Sequence, residues 1–225
     1  MKITIERGKP EHKKDVVYQY EPHFNKERPM ALDVLLQAQE REHPDLAYRY
    51  GCRNGLCGIC TVDINGKPRL ACRSKVKSGD QISALKTLPL LKDLVVKRDE
   101  VNRQLIGRLP MVKPVAAKQQ QDHRPLQSLN RCIECYACLH RCPAHEKNPI
   151  QGPFKYGNPY SFLKIQRVLI DPSASANDKQ RAINLARELG IEDYDAEKVP
   201  GCGLGINLKK EVILPLQQAS VDLNS

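Results

Sequence analysis

Nine cysteines are the residues best placed to do chemistry, and eight of them fall in two spaced groups. Cys52, Cys57 and Cys60 follow C-x4-C-x2-C, and Cys72 follows Cys60 after eleven intervening residues. That is the plant-type [2Fe–2S] spacing, in which four thiolates surround two irons. Gly51, Gly55 and Gly58 lie between and beside these cysteines. Lacking a Cβ, they let backbone come close to inorganic sulfide and turn through positive φ, and N–H groups aimed at the sulfides raise the reduction potential. A four-cysteine zinc site is the competing reading; zinc sites usually carry two C-x2-C knuckles, and this group has one.

The second group, Cys132, Cys135, Cys138 and Cys142 followed by Pro143, reads C-x2-C-x2-C-x3-C-P. This is the bacterial cubane pattern, whose fourth cysteine ligates the other cluster in two-cluster proteins. The first three cysteines then take a distant fourth partner, and Cys202 in Pro-Gly-Cys-Gly-Leu-Gly-Ile-Asn is the remaining candidate. The expected [4Fe–4S] set is Cys132, Cys135, Cys138 and Cys202, with Cys142 a buried free thiol. The rival assignment gives Cys142 the fourth position and leaves Cys202 structural.

Composition narrows the alternatives. A disulfide framework is disfavoured, because the number of cysteines is odd and the spacings are those of metal ligands. The net charge is +10, with pI about 9.2. The positive charge is spread along the chain without a long run of one sign, so nucleic-acid binding is a weak reading. There is no Trp, and aromatics make up 5%, which argues against aromatic platforms for bases. No apolar stretch is long enough to span a bilayer, and Met1–Gly8 has no secretory character. A cytoplasmic location is expected, with any membrane contact made through partner subunits. No nucleophile–base pair, phosphate loop or dinucleotide fingerprint is present, so the chain is expected to carry no catalytic site of its own. His140 and His145 are read as structural or solvent-facing, because four thiolates are available to each cluster without the two His of a Rieske centre. Tyr136 is read as packing over the cubane, and the Lys and Arg residues of 86–113 as a solvated or partner-facing surface.

The elements that must position these groups follow from periodicity. Residues 2–6, which alternate polar and apolar, and 14–20, which are rich in β-formers, read as strands around a turn at Gly8 and Pro10. Pro29 opens a helix with Leu32, Leu35 and Leu36 on its buried stripe. Asn65-Gly66 between two short apolar runs predicts a hairpin, and 81–85 a return strand. Residues 110–125, with three prolines and Lys-Gln-Gln-Gln, read as a linker. The second half reads as helical. Ser161–Ile170 stops before Pro172, a second helix is capped by Asn177 or Asp178 and ended by Gly190, and Leu208–Gln218 is an amphipathic stretch that Pro215 threatens to break. The predicted class is α+β, with domains 1–100 and 101–225.

Both cysteine groups, in this order, together with Cys52-Arg53-Asn54-Gly55-Leu56-Cys57-Gly58, Leu88–Val96 and Cys132-Ile133-Glu134-Cys135, resemble the iron–sulfur subunit of succinate dehydrogenase and fumarate reductase. The resemblance covers most of the chain. It implies an N-terminal β-grasp ferredoxin-like domain, a C-terminal helical ferredoxin domain, and electron relay to or from a partner flavoprotein that carries FAD. A further redox or membrane-anchor subunit would serve as the other electron partner. It also implies that Cys-x-x-Gly-(Leu or Ile)-Asn, here Cys202 to Asn207, supplies the remote cubane thiolate. The family's third cluster, [3Fe–4S], needs Cys142 and two cysteines shortly before Cys202; Ala182–Pro200 has none, so this cluster is expected to be absent. Part of the family's quinone site is missing as well. Pro143 remains, but Ala144 stands where the family has Ser, and the Trp and the His are absent. An alternative is relay for another flavoprotein that exchanges electrons with a soluble carrier or cytoplasmic subunit.

Overall fold

The computed structural model describes residues 1–22, 28–113, 124–149 and 153–222. The chain forms two compact units, Met1–Arg98 with Ile133–His140, and Asp99–Cys132 with Arg141–Ser225. The Lys-Gln-Gln-Gln run lies outside the described residues.

The first unit is a mixed sheet carrying one helix. Strands β1 (Lys2–Lys9) and β2 (His12–Gln19) form an antiparallel hairpin. Ile3 and Ile5 of β1 are fully buried, and alternation along the strand brings Arg7 to the same face. Helix α1 (Ala31–Arg41) follows, and then β3 (Thr61–Ile64), β4 (Lys67–Leu70) and β5 (Gln81–Ser83). The strand order is β2-β1-β5-β3-β4, with β5 parallel to β1 and the other pairs antiparallel. Asn65 and Gly66 both have positive φ, 51° and 73°, as a tight two-residue hairpin turn requires. A small second sheet pairs β6 (Leu90–Lys92) with β7 (Val95–Val96). Ile3, Ile5, Tyr18, Leu32, Leu35 and Ile82 centre the core.

Helix α1 begins later than Pro29 because residues 29 and 30 pair with the chain beyond Cys72. Met30 bridges to Lys75, and Val76 donates to the Pro29 carbonyl at 2.9 Å. Leu36 is half-buried, and Val34 and Ala38 complete the inward face instead. Gln37, also inward, is satisfied by polar partners: Tyr18 donates to its Oε1 at 3.0 Å and its Nε2 donates to the Glu21 carbonyl at 2.7 Å.

The second unit is helical: α2 (Asp99–Arg103), α3 (Arg124–Asn130), α4 (Pro143–Glu146), α5 (Pro159–Ile170), α6 (Ala176–Glu188) and α7 (Leu214–Asp222). Pro125 sits in the first turn of α3, so the end of the expected linker is helical. In α5 the Asn158 side chain accepts from the N–H groups of Tyr160 and Ser161 at 3.1 and 3.0 Å. Helix α6 is capped by Ser175, not Asn177 or Asp178. Ser175 Oγ accepts from Asp178 N–H at 3.1 Å, and the Asp178 carboxylate accepts from Ser175 N–H at 3.2 Å, a reciprocal capping box that places Asp178 in the first turn. Pro215 does not break the last helix. A π turn, Lys209–Ile213, precedes it, and Leu214 N–H reaches the Lys209 carbonyl; the wider turn absorbs the missing donor and ring bulk of proline.

Gly157 abuts the α5–α6 core. An added Cβ would overlap Phe162 Cζ and lie 2.8 Å from Cε1 of that ring and 3.0 Å from Leu189 Cβ. Phe162 is fully buried, and Gly157 N–H is tied to the Leu189 carbonyl at 2.8 Å. Gly157→Ala is expected to cost about 1–3 kcal/mol through overpacking. A lowered urea midpoint with an unchanged m-value would show it; an unshifted midpoint would disprove the clash.

Candidate metal centre

The first unit gathers Cys52, Cys57, Cys60 and Cys72. Cys52 and Cys57 lie at the surface; Cys60 and Cys72 are buried. Three backbone ties bring the far segment home. Ala71 N–H donates to the Cys60 carbonyl at 3.0 Å. The otherwise unpartnered first N–H groups of α1 are used on either side of Cys72: Ala31 N–H donates to the Ser74 carbonyl at 2.8 Å and Leu32 N–H to the Ala71 carbonyl at 3.0 Å. The helix thus fixes Cys72 opposite the loop carrying the other three thiols.

The loop bends through positive φ at Arg53 (59°), Gly55 (83°) and Gly58 (66°). Gly51 does not, contrary to expectation. An added Cβ there would make ordinary contact, 3.4 Å from Cys57 Sγ and 3.5 Å from Ile59 Cγ2. Leu56 N–H points at Cys52 Sγ from 3.2 Å. With N–H groups of Asn54, Leu56 and Cys57 directed at it, the Cys52 thiol is lowered to about 7, the Asn54 contact being the largest cause. Burial, reinforced by the neighbouring Cys60, pushes Cys72 up to about 11. Cys52 neighbours Cys57, and Cys72 neighbours Cys60 and Cys52; these neighbours, at the plant-type spacing and with backbone N–H groups directed at Cys52, fit a [2Fe–2S] cluster, whose sulfurs all carry negative charge.

The other cysteines are divided between the units. Cys135 and Cys138 belong to the first, and Cys132, Cys142 and Cys202 to the second. Each of the four predicted cubane ligands is half-buried. Leu204 N–H lies 3.4 Å from Cys202 Sγ. Cys142 is fully buried, 3.4 Å from the Tyr194 hydroxyl, and burial pushes its thiol up. His145 is buried edge-on to the Phe154 ring at 5.0 Å. Tyr136 is buried, in the left-handed region at φ 58°, with the Arg98 guanidinium 4.8 Å above its ring. Arg98 therefore departs from the solvated-surface reading of the 86–113 cations. Charge counting could not single it out, because its partners are backbone carbonyls distant in sequence.

Asp63, on β3, is almost fully buried. One carboxylate oxygen accepts from Lys86 N–H at 3.0 Å. Desolvation raises its pKa, opposed by that N–H and by His140 and Lys86. A carboxyl raised in the folded state holds protons that the unfolded chain has released, so it subtracts stability as pH rises from its unfolded value through its folded one. Asp63→Asn is expected to flatten that decline. Parallel pH–Tm profiles for variant and wild type would disprove it.

Comparison with known proteins defines the class first. Residues 2–103 match the family described as "2Fe-2S iron-sulfur cluster binding domain", so the cysteine loop of the first unit belongs to an iron–sulfur protein. The chain is 30% identical over 198 residues to succinate dehydrogenase [ubiquinone] iron-sulfur subunit 1, mitochondrial, of Oryza sativa subsp. japonica, covering 82% of this chain and 69% of that protein. It is 32% identical over 156 residues to a fumarate reductase (CoM/CoB) subunit of Methanothermobacter marburgensis, covering 68% of this chain and 31% of that protein; the chain spans about a third of that relative's length. The fold matches a chain of the Mycobacterium smegmatis Sdh1 complex in the apo form with TM-score 0.84 at 23% identity, covering 99% of this chain and 95% of that one. The chain belongs to the family of succinate dehydrogenase and fumarate reductase iron–sulfur subunits.

Proposed function

We propose that the chain is the electron-relay subunit of a succinate dehydrogenase- or fumarate reductase-type complex. Cys52, Cys57, Cys60 and Cys72 would hold a [2Fe–2S] cluster, and Cys132, Cys135, Cys138 and Cys202 a [4Fe–4S] cluster. Residues 1–100 would form the ferredoxin-like domain and 101–225 the helical domain, with the segment 133–140 packed in the compact unit of the first. The clusters supply single-electron transfer; FAD on a partner flavoprotein would couple it to a two-electron substrate step.

One observation carries the reading. The segment bearing Cys135 and Cys138 packs in the same compact unit as the loop bearing Cys52, Cys57 and Cys60, so two of the four predicted cubane ligands share a scaffold with the first cysteine loop. The surface supports a docked partner. Cys52 and Cys57 are exposed beside Leu56, which is 70% exposed. An open cleft of about 590 Å³ at the β4 edge is lined by Arg28, Lys67, Arg69, Lys75 and Lys77 against one carboxylate, Asp80. Asp80 is already engaged by Asn65 Nδ2 and Lys77 N–H, each at 2.9 Å; the cleft suits an acidic partner surface. Among the described residues no helix is long and apolar enough to cross a membrane. The complex would lie in the cytoplasm or at the cytoplasmic membrane face, held there by its other subunits.

Anaerobically purified complex is expected to contain about six irons per copy of this chain, with reduced [2Fe–2S] and [4Fe–4S] EPR signals, no oxidised [3Fe–4S] signal, and a copurifying flavoprotein. About nine irons with a [3Fe–4S] signal would overturn the two-cluster assignment. Purification without a flavoprotein would overturn the relay role.

A further inference from the structure

We propose that Arg98 and Gly58 lock the second cysteine loop onto the first, and so set the separation across which an electron leaves one cluster and enters the other. The inference rests on the two-cluster reading above. The lock itself is made wholly within the first unit.

Gly58 lies between Cys57 and Cys60 at φ 66°. A Cβ there would overlap the Ile133 carbonyl oxygen and stand 3.0 Å from Cys135 N and 3.1 Å from Ile133 C. Each of these atoms is backbone, so no rotamer change relieves the overlap. The two loops touch main chain to main chain, and the contact exists because residue 58 has no side chain.

Arg98 closes the same seam from the side. One guanidinium nitrogen, Nη1, donates to the Gly58 carbonyl at 3.1 Å and lies 3.4 Å from that of Ile59. The other, Nη2, donates to the Glu134 carbonyl. One planar group thus holds carbonyls of both loops, as the fixed fork of arginine permits and the single ammonium of lysine does not. The same guanidinium covers the Tyr136 ring at 4.8 Å, a cation–π contact.

The second loop needs such a hold. Glu134 and Tyr136 both adopt positive φ, 54° and 58°. Non-glycine residues in this region are strained and persist where their surroundings over-determine them. Arg98 grips the carbonyl of one and the ring of the other. Its own backbone is anchored next door, where Lys97 N–H donates to the Pro89 carbonyl at 2.8 Å and Val96 is buried. Arg98 is a positioning residue: it acts on the loops that carry the cysteines and not on a reacting atom.

The test compares anaerobically purified wild-type complex with Arg98→Met, Arg98→Lys and Gly58→Ala. Met keeps much of the apolar stem over Tyr136 and removes the donors. Iron and sulfide are measured first, because wild type without two clusters would overturn the relay reading by itself. Two readouts then address the lock. One is the broadening of the reduced [2Fe–2S] EPR signal by the reduced second cluster. The other is amide exchange over 133–140, which reads the loops whether or not clusters are present. Arg98→Met is expected to keep wild-type iron, lose broadening and exchange faster over 133–140. Arg98→Lys should fall between it and wild type, and Gly58→Ala should show the largest loss of protection. Wild-type broadening and exchange in Arg98→Met would overturn the proposal, even if Gly58→Ala failed to assemble.

Discussion

Replacing Cys202 with Ser is expected to abolish the reduced [4Fe–4S] signal and lower iron from about six per chain toward two, whereas Cys142→Ser keeps both signals. The contrast follows from where the two thiols sit. Cys142 caps α4 inside the apolar packing of the second unit. It is fully buried, its sulfur 3.4 Å from the Tyr194 hydroxyl, and Tyr194 packs edge-on to Phe162 at 5.5 Å. Burial pushes its thiol up, favouring the neutral form, while iron takes thiolate. Serine there can keep the hydrogen bond to Tyr194. Cys202 is half-buried, with Leu204 N–H 3.4 Å from its sulfur. Gly205 turns the chain behind it at φ 75°, its N–H donating to the Cys202 carbonyl at 3.1 Å. Iron analysis and EPR on the two serine variants decide the matter. An intact cubane in Cys202→Ser, or its loss in Cys142→Ser, would reverse the assignment.

The ligand candidates were legible because thiolates on one loop must be spaced to suit their cluster, and such spacing is local. The Asn65-Gly66 hairpin was legible for the same reason, since its two positive φ values are a property of two adjacent residues. What escaped was set by distant partners. Pro29 has the residue type for a first helical position, yet the pairing of Met30 with Lys75 keeps that stretch extended. Ser175 caps α6 ahead of Asn177 and Asp178, all three being competent cap residues; the choice depends on where the preceding turn delivers the chain. Nothing around Arg98 in the sequence hints that its guanidinium reaches the carbonyls of Gly58 and Glu134. Residues 133–140, read from their spacing as part of the second domain, pack with the first unit through Gly58, a contact that spans more than seventy residues of chain.

Asp93→Ala is expected to unfold much of the first unit, at a cost of about 3–5 kcal/mol, against a usual domain stability of about 5–15 kcal/mol. Asp93 is 1% exposed and lies in the turn between β6 and β7. Its Oδ1 accepts from Gly8 N–H at 2.7 Å and pairs with Arg7 Nε at 3.4 Å; its Oδ2 accepts from Ala47 N–H at 2.8 Å. Its backbone N–H returns to the Gly8 carbonyl at 2.7 Å, and Leu94 N–H to that of Ala47 at 3.1 Å. One carboxylate thus ties together the end of β1, the β6–β7 turn and the strand-like approach to the Cys52 loop. Removing it leaves Arg7 buried with, among the described residues, the exposed Asp45 as its remaining acidic partner, at 2.7 Å, and takes away the acceptors of the Gly8 and Ala47 N–H groups. An alanine must also take up the left-handed backbone of residue 93, φ 49°, which asparagine tolerates. Asp93→Asn should therefore lose less, since it keeps one acceptor and the backbone fit while losing the charge. Thermal melts of both variants, with amide exchange at Gly8 and Ala47, separate these terms. Alanine and asparagine variants equally close to wild type would show that the carboxylate does not hold these segments. An early loss of protection at Ala47 in Asp93→Ala would show the approach to the cysteine loop opening first.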